Sequence, residues 1–179
     1  QFLAEYLLRR LDNSSKLGIC HGTRSGREQR WFMDFMPGFD VWGTEIAARG
    51  QEFRNTIAPH DYHHPLPKWE GKTAFIYSNS LDHSFDPPLA IRTWMKTLTQ
   101  NGLLVIEFAF HQDGGAALHN MPLSDPYQAT MAQLQRLILL SGPFVVCDVL
   151  RRGSNMWLVA SYEGSQSCGP LRDPPAAPA

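Results

Sequence analysis

Cys20, Gly22, Arg24 and Gly26 alternate directly after the apolar run Leu17-Gly18-Ile19-Cys20 and ahead of a helical pattern. A turn there lets the backbone N–H groups of His21, Gly22 and Thr23 reach a polar ligand, because glycine lacks the Cβ that would block the approach. Taken alone, a glycine pair after a strand is more often only a tight turn. Glu45 shifts the weighing. It closes the next strand about twenty residues on, where a carboxylate can accept from both hydroxyls of a ribose.

Further polar clusters follow the later apolar runs. Asn79 and Ser80 end the run Thr73-Ala74-Phe75-Ile76-Tyr77-Ser78, and Asp82 and His83 come just beyond. In open α/β sheets ligands bind at the carboxyl ends of the strands, so these residues stand where chemistry is expected. Histidine as a residue type suits proton transfer at neutral pH, so His83 is the preferred general base, with Asp82 beside it; packing at the start of the next helix is the competing role. Glu107 and His111 follow the next strand and rank second, in a stretch whose HQDGG segment fits a substrate loop with glycine hinges. His60, His63 and His64 lack a carboxylate or cysteine at ligand spacing and Pro65 follows at once, so no metal site is expected. Asn13-Ser14-Ser15 reads as a turn rather than a glycosylation site.

The elements that must hold these residues alternate. Phe2, Leu3, Tyr6, Leu7, Leu8 and Leu11 recur at helical spacing and precede the strand at Leu17–Cys20. A helical segment with Trp31, Phe32, Phe35 and Met36 leads to the strand Asp40–Thr44, and a second one with Ile46, Ala47 and Phe53 leads to a short strand at Thr56–Ala58. Thr73–Ser78, a helix from Pro88 to Thr99, and a strand at Leu103–Ile106 after the turn Asn101-Gly102 continue the rhythm. A helix around Met131–Leu140 and two strands, Phe144–Leu150 and Met156–Tyr162, complete it; the short turn between those strands makes them antiparallel.

LGICHGTRSGRE, VWGTEIA, APHDYHH, FIYSNSLDHSFDP and NGLLVIE resemble successive motifs of the class I S-adenosylmethionine-dependent methyltransferases, over nearly the whole chain. The resemblance implies an α/β fold: a single Rossmann-like, doubly wound, mostly parallel seven-stranded sheet ending in a C-terminal antiparallel hairpin. It implies S-adenosylmethionine as cofactor, with Glu45 on the ribose, Asp61 on the adenine amino group, and Ile46 or Tyr62 against the ring. Asn79 and Ser80 then hold the methionine end. The turn of Cys20, His21, Gly22, Thr23, Arg24 and Gly26 departs from the family pattern, in which an acidic residue and three glycines alternate. Cys20 supplies no carboxylate, and Arg24 brings bulk and a charge that can pair with the cofactor's carboxylate. For Asp61, capping a turn is the competing role.

The formal net charge of −1 gives no reason to expect a nucleic-acid partner. No apolar stretch is long enough for a membrane span and the first residues are not those of a signal peptide, so a cytoplasmic protein is expected. Cys20, Cys147 and Cys168 are too few and scattered for a disulfide framework, which fits a reducing compartment. Residues 1–164 are expected to form the methyltransferase domain and 165–179, ending in GPLRDPPAAPA, a proline-rich tail or linker. The start at Gln1 rather than Met fits a domain of a longer chain with other domains as partners. The expected activity is methyl transfer to a small-molecule or sugar-like hydroxyl or amine. A non-catalytic scaffold of the same fold is the alternative, and the final hairpin argues against a nicotinamide-dependent oxidoreductase.

Overall fold

The computed structural model describes residues 1–109, 127 and 129–170. Among these residues, seven strands form one sheet in the order β3-β2-β1-β4-β5-β7-β6. They are β1 (Leu17–His21), β2 (Asp40–Thr44), β3 (Thr56–Ile57), β4 (Thr73–Ser78), β5 (Leu98–Ala109), β6 (Phe144–Arg152) and β7 (Asn155–Tyr162). The pairings from β3 to β5 are parallel. β7 inserts antiparallel between β5 and β6, which is the terminal hairpin expected from the short polar turn.

Side chains alternate across the sheet and define two cores. Phe75, Tyr77, Leu103, Val105, Trp157 and Val159 face the helices α1 (Phe2–Arg10) and α2 (Arg27–Phe35). Ile76, Leu104, Ile106, Leu158 and Ala160 face α3 (Pro87–Thr97) and α4 (Met131–Ser141). β4 is buried at every position, as a central parallel strand covered on both faces must be.

Local chemistry sets the helix starts. The Asp86 carboxylate accepts from Leu89 N at 3.0 Å and two prolines open α3, so the helix begins at Pro87. Thr130 and Gln133 form a reciprocal capping box at the start of α4.

Two expected elements differ. The helical segment with Ile46, Ala47 and Phe53 is only a 3-10 turn, Ala48–Glu52. Its apolar residues do not share a buried face: Ile46 is 68% exposed, and Gly50 lies where a Cβ would meet those of Glu45 and Ala58 at 2.8 and 2.9 Å. β5 starts at Leu98, not Leu103, because Leu98 pairs with Thr73 and the residues up to Gly102 are taken up in an irregularity of the ladder.

The first helix is tied to the far end of the chain. The Arg10 guanidinium, 8% exposed, donates to the Asp148 carboxylate on β6 and to the carbonyls of Ser167 and Gly169. Tyr6 Oη donates to the same Asp148 oxygen at 2.5 Å, and Ser167 Oγ donates to the carbonyls of Arg10 and Asn101. A 3-10 turn, Gln166–Cys168, thus packs on the domain beyond residue 164. It carries Cys168 to Cys147, and the two form a disulfide with Cα atoms 4.8 Å apart. This pairing corrects the expectation of scattered thiols and removes the basis for the reducing compartment read from it. The two sulfurs belong to elements 21 residues apart, a spacing that carries no pairing signal in the sequence.

Replacing Arg10 by Ala strands a partly buried Asp148 carboxylate and two carbonyls. We expect a stability loss of about 3 kcal/mol by urea unfolding. A loss under about 1 kcal/mol would mean that the network does not clamp α1 to β6.

Candidate functional site

The strand order runs outward from β1 in one direction and from β4 in the other, so the crevice beside these two strands is the switch point of the sheet. The turn after β1 is sewn into it from both sides. Gly22 N and Thr23 N donate to Thr44 O on β2 at 2.9 and 3.0 Å. Ser78 Oγ and Ser80 Oγ donate to His21 O at 3.2 and 3.1 Å. Gly22 has φ +71°, and a Cβ there would run into the Ser80 side chain. Only glycine meets both demands.

Arg24 holds a left-handed backbone, φ +54°, where a glycine would be unstrained. Its N–H donates to Glu45 Oε2 at 2.7 Å, while Glu45 Oε1 accepts from Ala47 N at 3.0 Å. Glu45 thus stands at the end of β2 as expected and bridges the turn to the segment after β2. Cys20 is fully buried in the core and does not order the turn. That work falls to Thr23, already read as part of the turn, together with Glu28 and Gln29, which the sequence reading did not single out. Thr23 Oγ1 donates to Glu28 Oε2 at 3.1 Å and also bonds the Gln29 side-chain oxygen. The signal available was Glu28 in the first turn of α2, at a helix N-terminus.

Asp61 follows β3. Its Oδ1 accepts from His63 N at 2.9 Å and lies 2.6 Å from His63 Nδ1, so it also caps a turn. Burial alone would raise its pKa, but the hydrogen bonds from the His63 backbone and imidazole outweigh burial and leave it below its ordinary value. Tyr62 turns inward: its Oη donates to Ser80 O at 3.0 Å and its ring meets Trp94 edge-on at 5.2 Å. Ile46 is an exposed apolar side chain at this edge, as is Phe85, which stacks on His63. Ser80 is buried, whereas Asn79 is exposed and its Nδ2 reaches Glu28 Oε1 at 3.5 Å.

His21 is buried behind the turn. Its ring stacks on Trp94 at 4.9 Å, Nδ1 lies 2.8 Å from Thr44 Oγ1, and Nε2 has no partner among the described residues. Burial, reinforced by nearby His60, presses its pKa down to about 3.

The candidate catalytic groups separate. Asp82 and His83 sit on a 3-10 turn, Leu81–His83, with side chains 49% and 63% exposed and His83 Nε2 3.9 Å from Asp82 Oδ1. Glu107 is on the opposite side of the edge, half-buried, with Oε2 accepting from Tyr77 Oη and Trp157 Nε1, both at 2.7 Å. His111 and the HQDGG loop lie outside the described residues. Glu107, Tyr77 and Trp157 wall a chamber of about 600 Å³ against α1 and α2. Tyr77 and Trp157 were legible only as core residues, because strand alternation does not say that a face opens into a cavity.

No protein-family model matches the sequence, and no curated protein matches it. Solved structures do. A chain of the Haloferax volcanii complex formed with the Trm112 methyltransferase activator aligns with TM-score 0.71 at 12% identity, covering 89% of this chain and 88% of that one. Mitomycin 7-O-methyltransferase MmcR aligns with TM-score 0.65 at 15% identity, covering 89% of this chain and 52% of that one. The Burkholderia thailandensis 1,6-didemethyltoxoflavin-N1-methyltransferase, solved with S-adenosylhomocysteine, aligns with TM-score 0.64 at 14% identity, covering 89% and 76%. The chain spans about half the length of several of these proteins, 52% of MmcR and 48% of a citrinin polyketide synthase methyltransferase domain structure. The fold is that of the class I S-adenosylmethionine-dependent methyltransferases.

His21 gives a pH prediction. Its pKa is about 3 when folded against an ordinary 6.5, so between those values the unfolded chain binds more protons. Stability therefore falls as pH drops through this window, by up to about 1.4 kcal/mol per pH unit from this group. His21→Gln should flatten the slope of urea-unfolding free energy between about pH 6.5 and 4. An unchanged slope would show that His21 is not the group responsible.

Proposed function

We propose that this domain binds S-adenosylmethionine at the crevice beside β1 and β4 and transfers its methyl group to a small-molecule hydroxyl or amine. The observation that carries the reading is the pair of carboxylates, Glu45 directly after β2 and Asp61 in the segment after the neighbouring β3, beyond the carboxyl ends of the two strands on one side of β1, in a sheet of methyltransferase strand order. Their chemistry fits the cofactor's donors. Glu45 would accept from the ribose hydroxyls and Asp61 from the adenine amino group, with exposed Ile46 against the ring. With the turn's N–H groups taken up within the protein, its carbonyls and Asn79 would hold the methionine end, and Arg24 would pair with its carboxylate. Ser80 contributes by pinning the turn, since its hydroxyl is committed to His21 O.

When bound, the cofactor supplies an electrophilic methyl group on a sulfonium. The protein's part is to align an acceptor, exclude water and take a proton. Of the described groups expected for the last task, His83 projects into solvent, whereas Glu107 is fixed by two donors at a chamber wall. The proton-accepting role therefore goes to Glu107 rather than to Asp82 or His83.

Glu45→Ala should weaken S-adenosylhomocysteine at least tenfold in calorimetric titration, because charge-assisted hydrogen bonds worth roughly 1.5–3 kcal/mol each are lost. Asp61→Asn should weaken it less, since contacts to the ring remain. S-adenosylhomocysteine should raise the melting temperature and NAD should not. Equal affinity in Glu45→Ala and the unmutated protein would remove the cofactor assignment.

A further inference from the structure

The chamber beside Glu107 has a composition that selects a ligand. Its volume of about 600 Å³ fits a small organic molecule. Five aromatic side chains line it: Phe2, Trp31, Phe32, Tyr77 and Trp157. Trp31 meets Phe32 edge-on with ring centroids 5.0 Å apart, and Phe2 and Trp157 lie 6.0 Å apart. Edge-on and tilted rings of this kind offer faces and edges to a flat π-system.

The polar groups are sorted by depth. Glu107 lies between Tyr77 and Trp157, each 7% exposed, and both donors fall on Oε2. Its Oε1 takes no hydrogen bond among the described residues, so it can accept one from a ligand. The exposed lining is basic instead. Arg27 and Arg30 lie one turn apart on α2, and Arg152 extends over the Phe2 ring at 5.5 Å, with the carboxylates of exposed Asp34 and half-buried Glu28 among them. Guanidinium groups in such a setting recognise a carboxylate. Glu28 also lines the chamber and bonds Thr23 and Asn79, so the chamber abuts the turn and the end of β4.

The geometry points to this chamber as the acceptor site, taking a planar aromatic acid whose ring hydroxyl is seated on Glu107 Oε1 and whose carboxylate meets the arginines. The reaction assigned to it rests on the methyl-transfer reading; the binding does not. In that reaction the phenolic oxygen forms a bond to the methyl carbon. The sulfur–carbon bond breaks with its electron pair going to sulfur, and the sulfonium becomes a thioether. The phenolic proton passes to Glu107.

The test uses para-hydroxycinnamate, cinnamate and the methyl ester of the former, titrated into the full chain by tryptophan fluorescence and calorimetry, with and without S-adenosylhomocysteine. Para-hydroxycinnamate should bind at least tenfold more tightly than cinnamate, and Glu107→Gln should erase that preference while leaving cinnamate unchanged. The ester should bind at least fivefold more weakly than the acid, a difference that Arg30→Ala combined with Arg152→Ala removes. If thermal melts show that Glu107→Gln is unfolded, Glu107→Asp, which withdraws the carboxylate by one methylene, should show the same loss. Equal binding of the two cinnamates, or a preference surviving Glu107→Gln, overturns the proposal even where S-adenosylhomocysteine binds. The expected preferences without any S-adenosylhomocysteine binding would uphold the chamber and remove methyl transfer instead.

Discussion

The carbonyl of His21 is the point on which the candidate site depends. It receives two hydroxyls, from Ser78 and Ser80, at the position where β1 gives way to the turn. Ser78 ends β4, the strand buried at every position, and Ser80 follows it by two residues, so the turn is referenced to the most constrained element of the sheet. Gly22 is the counterpart, because any side chain there would displace Ser80. The backbone of the turn is held from β4 on one side and from Thr44 of β2 on the other, and it is oriented before a ligand arrives.

Around that fixed turn the chain solves a missing-charge problem. Where the resemblance leads one to expect an acid at the end of β1, Cys20 is buried in the core and its thiol is pushed up by burial, and next by Glu28. The ordering of the turn has passed to Thr23, Glu28 and Gln29, a network carried on α2 rather than on the strand. Glu45 adds a second tie through Arg24 N. Arg24 takes a left-handed backbone conformation at this point, one that glycine would adopt without strain.

The two faces of the sheet divide the work. On the α3 side Trp94 stacks on His21 and meets Tyr62, so that face packs tightly beneath the turn. On the α1 and α2 side, the alternation that buries Phe75 and Val105 brings Tyr77, Glu107 and Trp157 together one step nearer the carboxyl edge, where the helices stop covering the sheet. A core face thus becomes a chamber wall without a change in pattern. The Arg10 cluster holds α1, one side of that chamber, against β6 and the turn at Gln166–Cys168.

Much of the fold was legible in the sequence, because period-two and helical apolar patterns report which faces are buried. Strand positions, the terminal antiparallel pair, and Glu45 and Asp61 at strand ends all follow from that pattern and from glycine and proline punctuation. The segment at Ile46–Phe53 was not, since its apolar residues mimic helical spacing although Ile46 faces solvent. Local pattern is equally blind to contacts between distant residues. The Cys147–Cys168 pair, the Arg10–Asp148 clamp, the inward turn of Tyr62 and the convergence of Tyr77, Trp157 and Glu107 depend on strand order and register. The sequence alone determined which residues stand at the carboxyl edge. Only the tertiary structure decided which of them face one another, because that is set by packing across the sheet and not by spacing along the chain.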